Sequence, residues 1–281
     1  MYYSNNNKCA QMIKFNFGFK ILFLLILVTS IDRLHANEKE QALTLEQLNA
    51  YLAAPNRQEN DSQRDQSRKP AQIMHFSGIA KGDHILDIFA GGGWYSELFS
   101  MAVGDKGKVY VQNDSVIWRF AQKRIEKRTK NNRLKNLTRL DKIDLPDINI
   151  PEKSIDIAFT ALNYHDLFFT YDISDGKKTI FREAEVDHKA ALAKIKASLK
   201  DDGVFIIIDH HAHKGSGLEA PNSVHRIDSN IVKYQLEEAG FVLVEQAFYL
   251  ANPEDDLSMS VFEDKLRGKT DRFIYKFKKR E

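Results

Sequence analysis

Short apolar runs and amphipathic stretches take turns along most of this chain, and the spacing of each predicts its element. Runs of four to seven residues, rich in Ile, Val, Leu and Phe, predict strands at 85–89, 108–112, 137–140, 154–160, 203–209, 241–247 and 271–277. Between them, apolar positions recur every three or four residues and predict helices at 43–52, 70–78, 96–102, 115–130, 185–199 and 228–239. On the fourth of these, Val116, Ile117, Phe120 and Ile125 are expected to face the sheet, and Gly240 is expected to cap the last. The aromatic stretch 164–175 shows no period and reads as an irregular connection. Strands alternating with helices imply an α/β fold, a mostly parallel sheet with right-handed crossovers and helices on both faces.

The rest of the chain is organised around the first strand. Asp87 is the one charge in a run that ends in Gly91, Gly92 and Gly93, with a helix directly after. Glycines there allow backbone angles closed to other residues and let a ligand come close to the main chain. A second strand follows and ends in Asn113 and Asp114, so an acid arrives about twenty residues after the glycines, where such folds read ribose hydroxyls. In open sheets, ligands sit outside the carboxyl ends of the strands. The polar residues that follow successive strands are Gly91 to Gly93, then Asn113 and Asp114, Asp141, the set Asn163, His165 and Asp166, and the set Asp209, His210 and His211. Five segments therefore send polar groups to one rim.

These motifs resemble class I S-adenosylmethionine-dependent methyltransferases, and more closely a group of exported bacterial methyltransferases. The first motif of that family is matched by Asp87, Gly91 and Gly93, with Phe89 standing where its first glycine falls. The exported group is resembled in 64–70, the glycine motif, 163–166, 209–211, 225–228 and 270–273, which span most of the chain. The resemblance implies a Rossmann-like seven-stranded sheet whose last strand pair is antiparallel. It also implies methyl transfer from S-adenosylmethionine, with Asp87, Gly91 and Gly93 on the methionine side, Asn113 or Asp114 on the ribose and Asp141 on the adenine edge. Position favours His165 as general base, Asp166 as its orienter or a substrate ligand, and His210 as a second candidate. Each histidine has a plainer reading as a cap or a packed ring beneath a loop.

Composition narrows the chemistry. The formal charge is +2, and the basic run 123–135 lacks aromatic partners or a nucleic-acid module, so no nucleic-acid partner is expected and the run reads as a solvated helix face. The acceptor is expected to be a small molecule. The single cysteine, Cys9, leaves no Cys-ligated metal and no Cys nucleophile in the main domain. His211 with Asp166 and Asp209 is the better metal set that the sequence offers, but no metal is assigned. Two rival functions share the fold: a nicotinamide-dependent oxidoreductase, against which Ser96 stands where its fingerprint wants Gly or Ala, and a non-catalytic binding module.

At the start, Lys14 and Lys20 precede the apolar run 21–28, which ends near Ala36. The pattern predicts a secretory signal over 1–36 and a periplasmic protein, with Met12 as an alternative start and an uncleaved membrane anchor as the alternative to cleavage. Residues 37–80 read as a helical cap and linker, and 81–281 as the main domain. Within the linker, 56–69 is charged and apolar-poor. Arg64, Asp65 and Arg68 there are expected to be solvated unless they order over a ligand.

Overall fold

Helices and sheet take their places because each strand carries apolar side chains on both faces. The computed structural model describes residues 40–174 and 176–280; the expected signal segment, 1–36, lies outside them. Strands β1 (His84–Asp87), β2 (Lys108–Asn113), β3 (Leu137–Asp141), β4 (Ile155–Ala161), β7 (Leu199–His210), β8 (Phe241–Ala247) and β9 (Arg272–Lys279) form one seven-stranded sheet in the order β3-β2-β1-β4-β7-β9-β8. The first five strands in that order pair in parallel, while β9 runs antiparallel to both β7 and β8. This is the expected Rossmann-like sheet with its antiparallel closing pair.

Alternation along the strands feeds two cores. Ile85, Ile157, Phe159, Ile206 and Ile208 enter one, with α4 (Trp94–Val103) and the cap helices α1 (Leu45–Leu52) and α3 (Pro70–Ser77) packed there. Leu86, Ala158, Phe205 and Ile207 enter the other, against α6 (His188–Ser198) and α8 (Ser229–Glu238). The long helix α5 (Ser115–Thr129) divides its buried residues, sending Ile117 and Ala121 to the second core and Trp118 and Ile125 to the first.

Three expectations are corrected. Residues 164–175 are not irregular throughout: after a helical turn at Tyr164–Leu167, β5 (Tyr171–Ser174) pairs with β6 (Lys177–Ile180) as a separate antiparallel hairpin. Phe120 does not face the sheet. It is 56 % exposed and meets Phe181, just past the hairpin, at 5.6 Å between ring centroids. Residues 56–69 are not a solvated linker, because they fold into a turn at Asp61–Arg64 and the short helix α2 (Asp65–Arg68). Ion pairs hold them down: Arg57 pairs with Asp65 at 2.6 Å, and buried Asp61 with Arg128 at 2.6 Å. Arg128, which also bonds to buried Glu97, is thus the exception within a basic run that is otherwise mostly exposed. Among the described residues, no helix is long and apolar enough to cross a membrane.

Candidate active site

The glycine loop is shaped by the residues at the end of β2. Gln112 accepts from the Phe89 amide through Oε1 (3.0 Å) and donates to the Ile143 carbonyl (2.7 Å). Asn113 accepts from the Gly91 amide (2.8 Å) and donates to the Gly91 carbonyl (3.1 Å). Phe89 itself sits at φ 49, a left-handed conformation. A phenylalanine therefore takes the backbone conformation expected of a glycine, and burial of its ring, 1 % exposed, helps to hold it there. The other two motif glycines differ from each other. A Cβ on Gly93, at φ 73, would lie 2.6 Å from Ile125 Cδ1, so Gly93 lets α4 and α5 pack. A Cβ on Gly91, at φ 57, would meet nothing within 4 Å, because that loop edge faces a cleft.

The cleft has a volume of about 1170 Å³ and runs from the glycine loop to the ends of β4 and β7. Asp87 lines it at one end and accepts from Ser96 Oγ at 2.5 Å. Ser96, out of place in a nicotinamide fingerprint, has a structural duty here. Burial raises the Asp87 carboxyl to about 7, against the lowering pull of the Ser96 hydrogen bond and the Arg68 charge. Arg68 reaches into the same cleft with its guanidinium 5.1 Å from the Trp94 ring centre, and no carboxylate pairs with it among the described residues.

At the other end stand five imidazole and carboxylate groups, those of His165, Asp166, Asp209, His210 and His225. His165 lies in the turn after β4. Its backbone amide donates to Asp209 Oδ2 (2.8 Å), and its Nδ1 bonds to Asp209 Oδ1 (2.9 Å). Its Nε2 lies 3.7 Å from Asp166 Oδ1, and Asn163 donates to the other Asp166 oxygen at 2.7 Å. Burial opposes charge on His165, yet Asp209 and then Asp166 outweigh it and raise the imidazole to about 9. His210 shares Nδ1 with Thr270 Oγ1 at 2.7 Å, and burial, followed by the neighbouring His165 charge, holds it well below its ordinary value. His165 is therefore an imidazolium at neutral pH and already holds the proton that a base would accept, whereas His210 is neutral.

Not every expected residue reaches this cleft. Asp114 caps α5, accepting from the Val116 and Ile117 amides at 2.9 and 2.8 Å, and its other oxygen lies 3.0 Å from Arg182 Nη2. That contact is close in distance but lacks hydrogen-bond alignment, so Arg182 Nε and Nη2 are buried without a hydrogen-bond partner. Asp141 is bound by Arg139 at 2.5 Å. Thus Asp87, Gly91, His165, Asp166 and His210 line one cleft, whereas Gly93, Asn113, Asp114 and Asp141 stand behind its wall.

The set of His211, Asp166 and Asp209, the better metal set that the sequence offers, does not assemble around His211. Asp209 is fully buried beneath His165 and His210, while the His211 ring packs on Phe273 at 5.0 Å. Arg226 does not touch the cleft either. It is fully buried and bidentate on Asp255, at 2.9 and 3.0 Å. Arg272 makes no ion pair with Asp271 but donates to the carbonyls of Ser67, Gly268 and Thr270. Gln112, Arg182 and Phe262 were not legible as site residues, since Gln112 and Phe262 are uncharged and Arg182 follows β6, a strand that the sequence pattern does not predict.

With the geometry in place, the likenesses are clear. Residues 28–139 match the model of the protein-L-isoaspartate(D-aspartate) O-methyltransferase family. No curated protein matches. Among solved structures, a SAM-dependent methyltransferase from Aquifex aeolicus is similar at 20% identity and TM-score 0.50, over 84% of this chain and 98% of that one. A chain of the complex between the Haloferax volcanii Trm112 methyltransferase activator and the putative methyltransferase is similar at 13% identity and TM-score 0.50, over 83% and 98%. The chain has the fold of S-adenosylmethionine-dependent methyltransferases.

Proposed function

We propose that this protein is an enzyme that transfers the methyl group of S-adenosylmethionine to a small-molecule acceptor. One observation carries the reading: a single cleft has an open glycine edge and a buried carboxylate at one end and a histidine–carboxylate cluster at the other. At about 1170 Å³ it exceeds the ~300–1,000 Å³ of a site for one small ligand, which leaves room for two side by side. The residues present fit the cofactor. Gly91 leaves the main chain open to close approach, Asp87 offers a carboxylate to a cationic amino group, and unpaired Arg68 offers a guanidinium to a carboxylate.

Bound there, the cofactor supplies a sulfonium methyl group, and the protein has to align the acceptor with it and take up any proton that the acceptor loses. His210, neutral and facing the cleft, is the base that the site offers, while His165 is a cation that draws an anionic acceptor. The small-acceptor reading rests on burial: His165 and His210 are 3 % and 8 % exposed, set in the cleft wall and not on the outer surface. The family match ends at residue 139, before every residue of this cluster, and so speaks to the cofactor end alone. The leader pattern supports an exported, periplasmic location, which N-terminal sequencing of the mature protein checks.

The test is incubation of the purified protein with methyl-labelled cofactor and two separate extracts, one of small molecules and one of proteins. Label in the small-molecule extract supports the reading. Label only in protein overturns the acceptor class, and cofactor binding without transfer to either extract favours a non-catalytic binding module.

A further inference from the structure

The histidine cluster contains more than an acid–base pair. His165, Asp166 and His225 each present a ligand-type atom to one point, all within 4.8 Å of one another. With His165 Nδ1 committed to Asp209, its Nε2 is the nitrogen left for that point, on the side of Asp166 Oδ1. With Asp166 Oδ2 held by Asn163, Oδ1 is the free oxygen. Both ligands are thus oriented from behind, and a carboxylate on the far nitrogen of a ligating histidine is the usual outer support of a metal site.

His225 is the independent observation. It terminates the short helix α7 (Ala220–Val224) in a left-handed conformation, at φ 54, although it is not glycine. Such strain persists where the surroundings over-determine it and tends to mark functional positions. Its ring is 9 % exposed, wedged between Phe169 and Phe262 at 4.5 and 4.7 Å, and among the described residues it makes no hydrogen bond. The next residue, Arg226, fixes the loop through Asp255 and the carbonyls of Met259 and His211. The chain therefore spends backbone strain and a rigid anchor on holding an unpartnered imidazole against His165.

We propose that His165, Asp166 and His225 bind one divalent transition-metal cation, with Asp209 as the outer support of His165 and an open coordination position toward the cleft. Two imidazoles and one carboxylate suit zinc, iron(II) or cobalt(II). Ligands held tetrahedrally at ~2.1 Å from one ion lie ~3.4 Å apart, so a pair at the 4.8 Å limit closes by about 1.4 Å when the ion binds. Resting on the methyltransferase reading, the open position takes an oxygen or sulfur lone pair of the acceptor and so favours acceptors with an acidic hydroxyl or thiol.

The test uses the full chain, stripped with chelator and titrated with cobalt(II) in the absence of any other ligand, by visible absorption and calorimetry. One equivalent is expected to bind and to give the absorption of a low-coordinate site. His225→Ala and Asp166→Asn should each weaken binding at least tenfold, and Asp209→Asn by ~10- to 100-fold. His213→Ala, at an exposed histidine, should leave it unchanged. Circular dichroism and melting verify that each variant folds, and Asp166→Asn, nearly isosteric, guards against a collapse of the His225 variant. The absence of saturable binding, or binding indifferent to both His225→Ala and Asp166→Asn, overturns the site. A separate titration with S-adenosylmethionine keeps the two readings apart. Cobalt without cofactor binding would leave the metal site and remove its assigned role, and cofactor without cobalt binding would do the reverse.

Discussion

The two ends of the cleft use similar residues in opposite ways. Beside β2 and β3, the polar groups are occupied: Asn113 clamps Gly91, Asp114 caps α5 and faces Arg182, and Asp141 is bound by Arg139. Beside β4 and β7, the polar groups are aimed at open space and coupled in charge, with His165 held between Asp166 and Asp209. The first end is built for shape and the second for charge. Residues placed identically after their strands can therefore serve as scaffold or as chemistry, and only their partners tell which.

The largest expected effect falls at the charged end. Removing Asp209 leaves His165 buried without its principal partner, so Asp209→Ala should cost roughly 3–5 kcal/mol in denaturant unfolding. The sign with pH is definite. His165 is raised from 6.5 to about 9, so its contribution to stability is fully present below about 6.5 and is lost as the pH rises through about 9. A wild-type profile flat between these values would break the contrast.

Asp87 carries the same logic at the shaped end, with the opposite consequence. Its carboxyl is raised from 3.8 to about 7 mainly by burial, so the folded protein loses stability as the pH rises between those values. Asp87→Asn should gain up to ~4 kcal/mol at pH 8 and should still accept from Ser96, while weakening S-adenosylmethionine at least tenfold. A loss of stability in that variant would show that the carboxylate is structural.

The two glycines sharpen the comparison further. Gly93→Ala should cost about 2 kcal/mol, since its Cβ meets Ile125. Gly91→Ala should cost about 1 kcal/mol and harm cofactor affinity more than stability, because its Cβ points into the cleft. Equal effects on both quantities at both positions would argue that neither edge meets a ligand. An effect of opposite sign is expected at Arg182, whose charge covers Asp114. Arg182→Ala should raise cofactor affinity by up to tenfold, ~1.4 kcal/mol, if Asp114 is to reach the ribose, as read by calorimetry.

What could be read from the chain follows from range. The strand, glycines and helix around Asp87 are a local pattern, and so is the apolar alternation that builds all seven strands of the sheet. The histidine cluster was legible in part, because His165, Asp166 and His210 follow their strands directly, whereas His225 comes from a loop beyond the fifth strand of the parallel set. The hairpin β5–β6 was hidden because its strands are short and largely exposed, and with it went Phe120, whose partner Phe181 follows that hairpin. Residues 56–69 looked disordered because their order comes from charge pairs such as Asp61–Arg128, which leave no period in the sequence. The electrostatic reversal at His165 was equally hidden, since the two carboxylates that charge it converge only through the fold.

The most direct test of the account is calorimetric titration of the full chain with S-adenosylmethionine and S-adenosylhomocysteine at pH 8 and pH 6. The account predicts micromolar binding of both, weaker at pH 6 for each because Asp87 then takes up a proton that competes with the cationic amino group the two ligands share. No heat with either ligand at either pH would contradict the cofactor site, and with it the proposed methyl transfer.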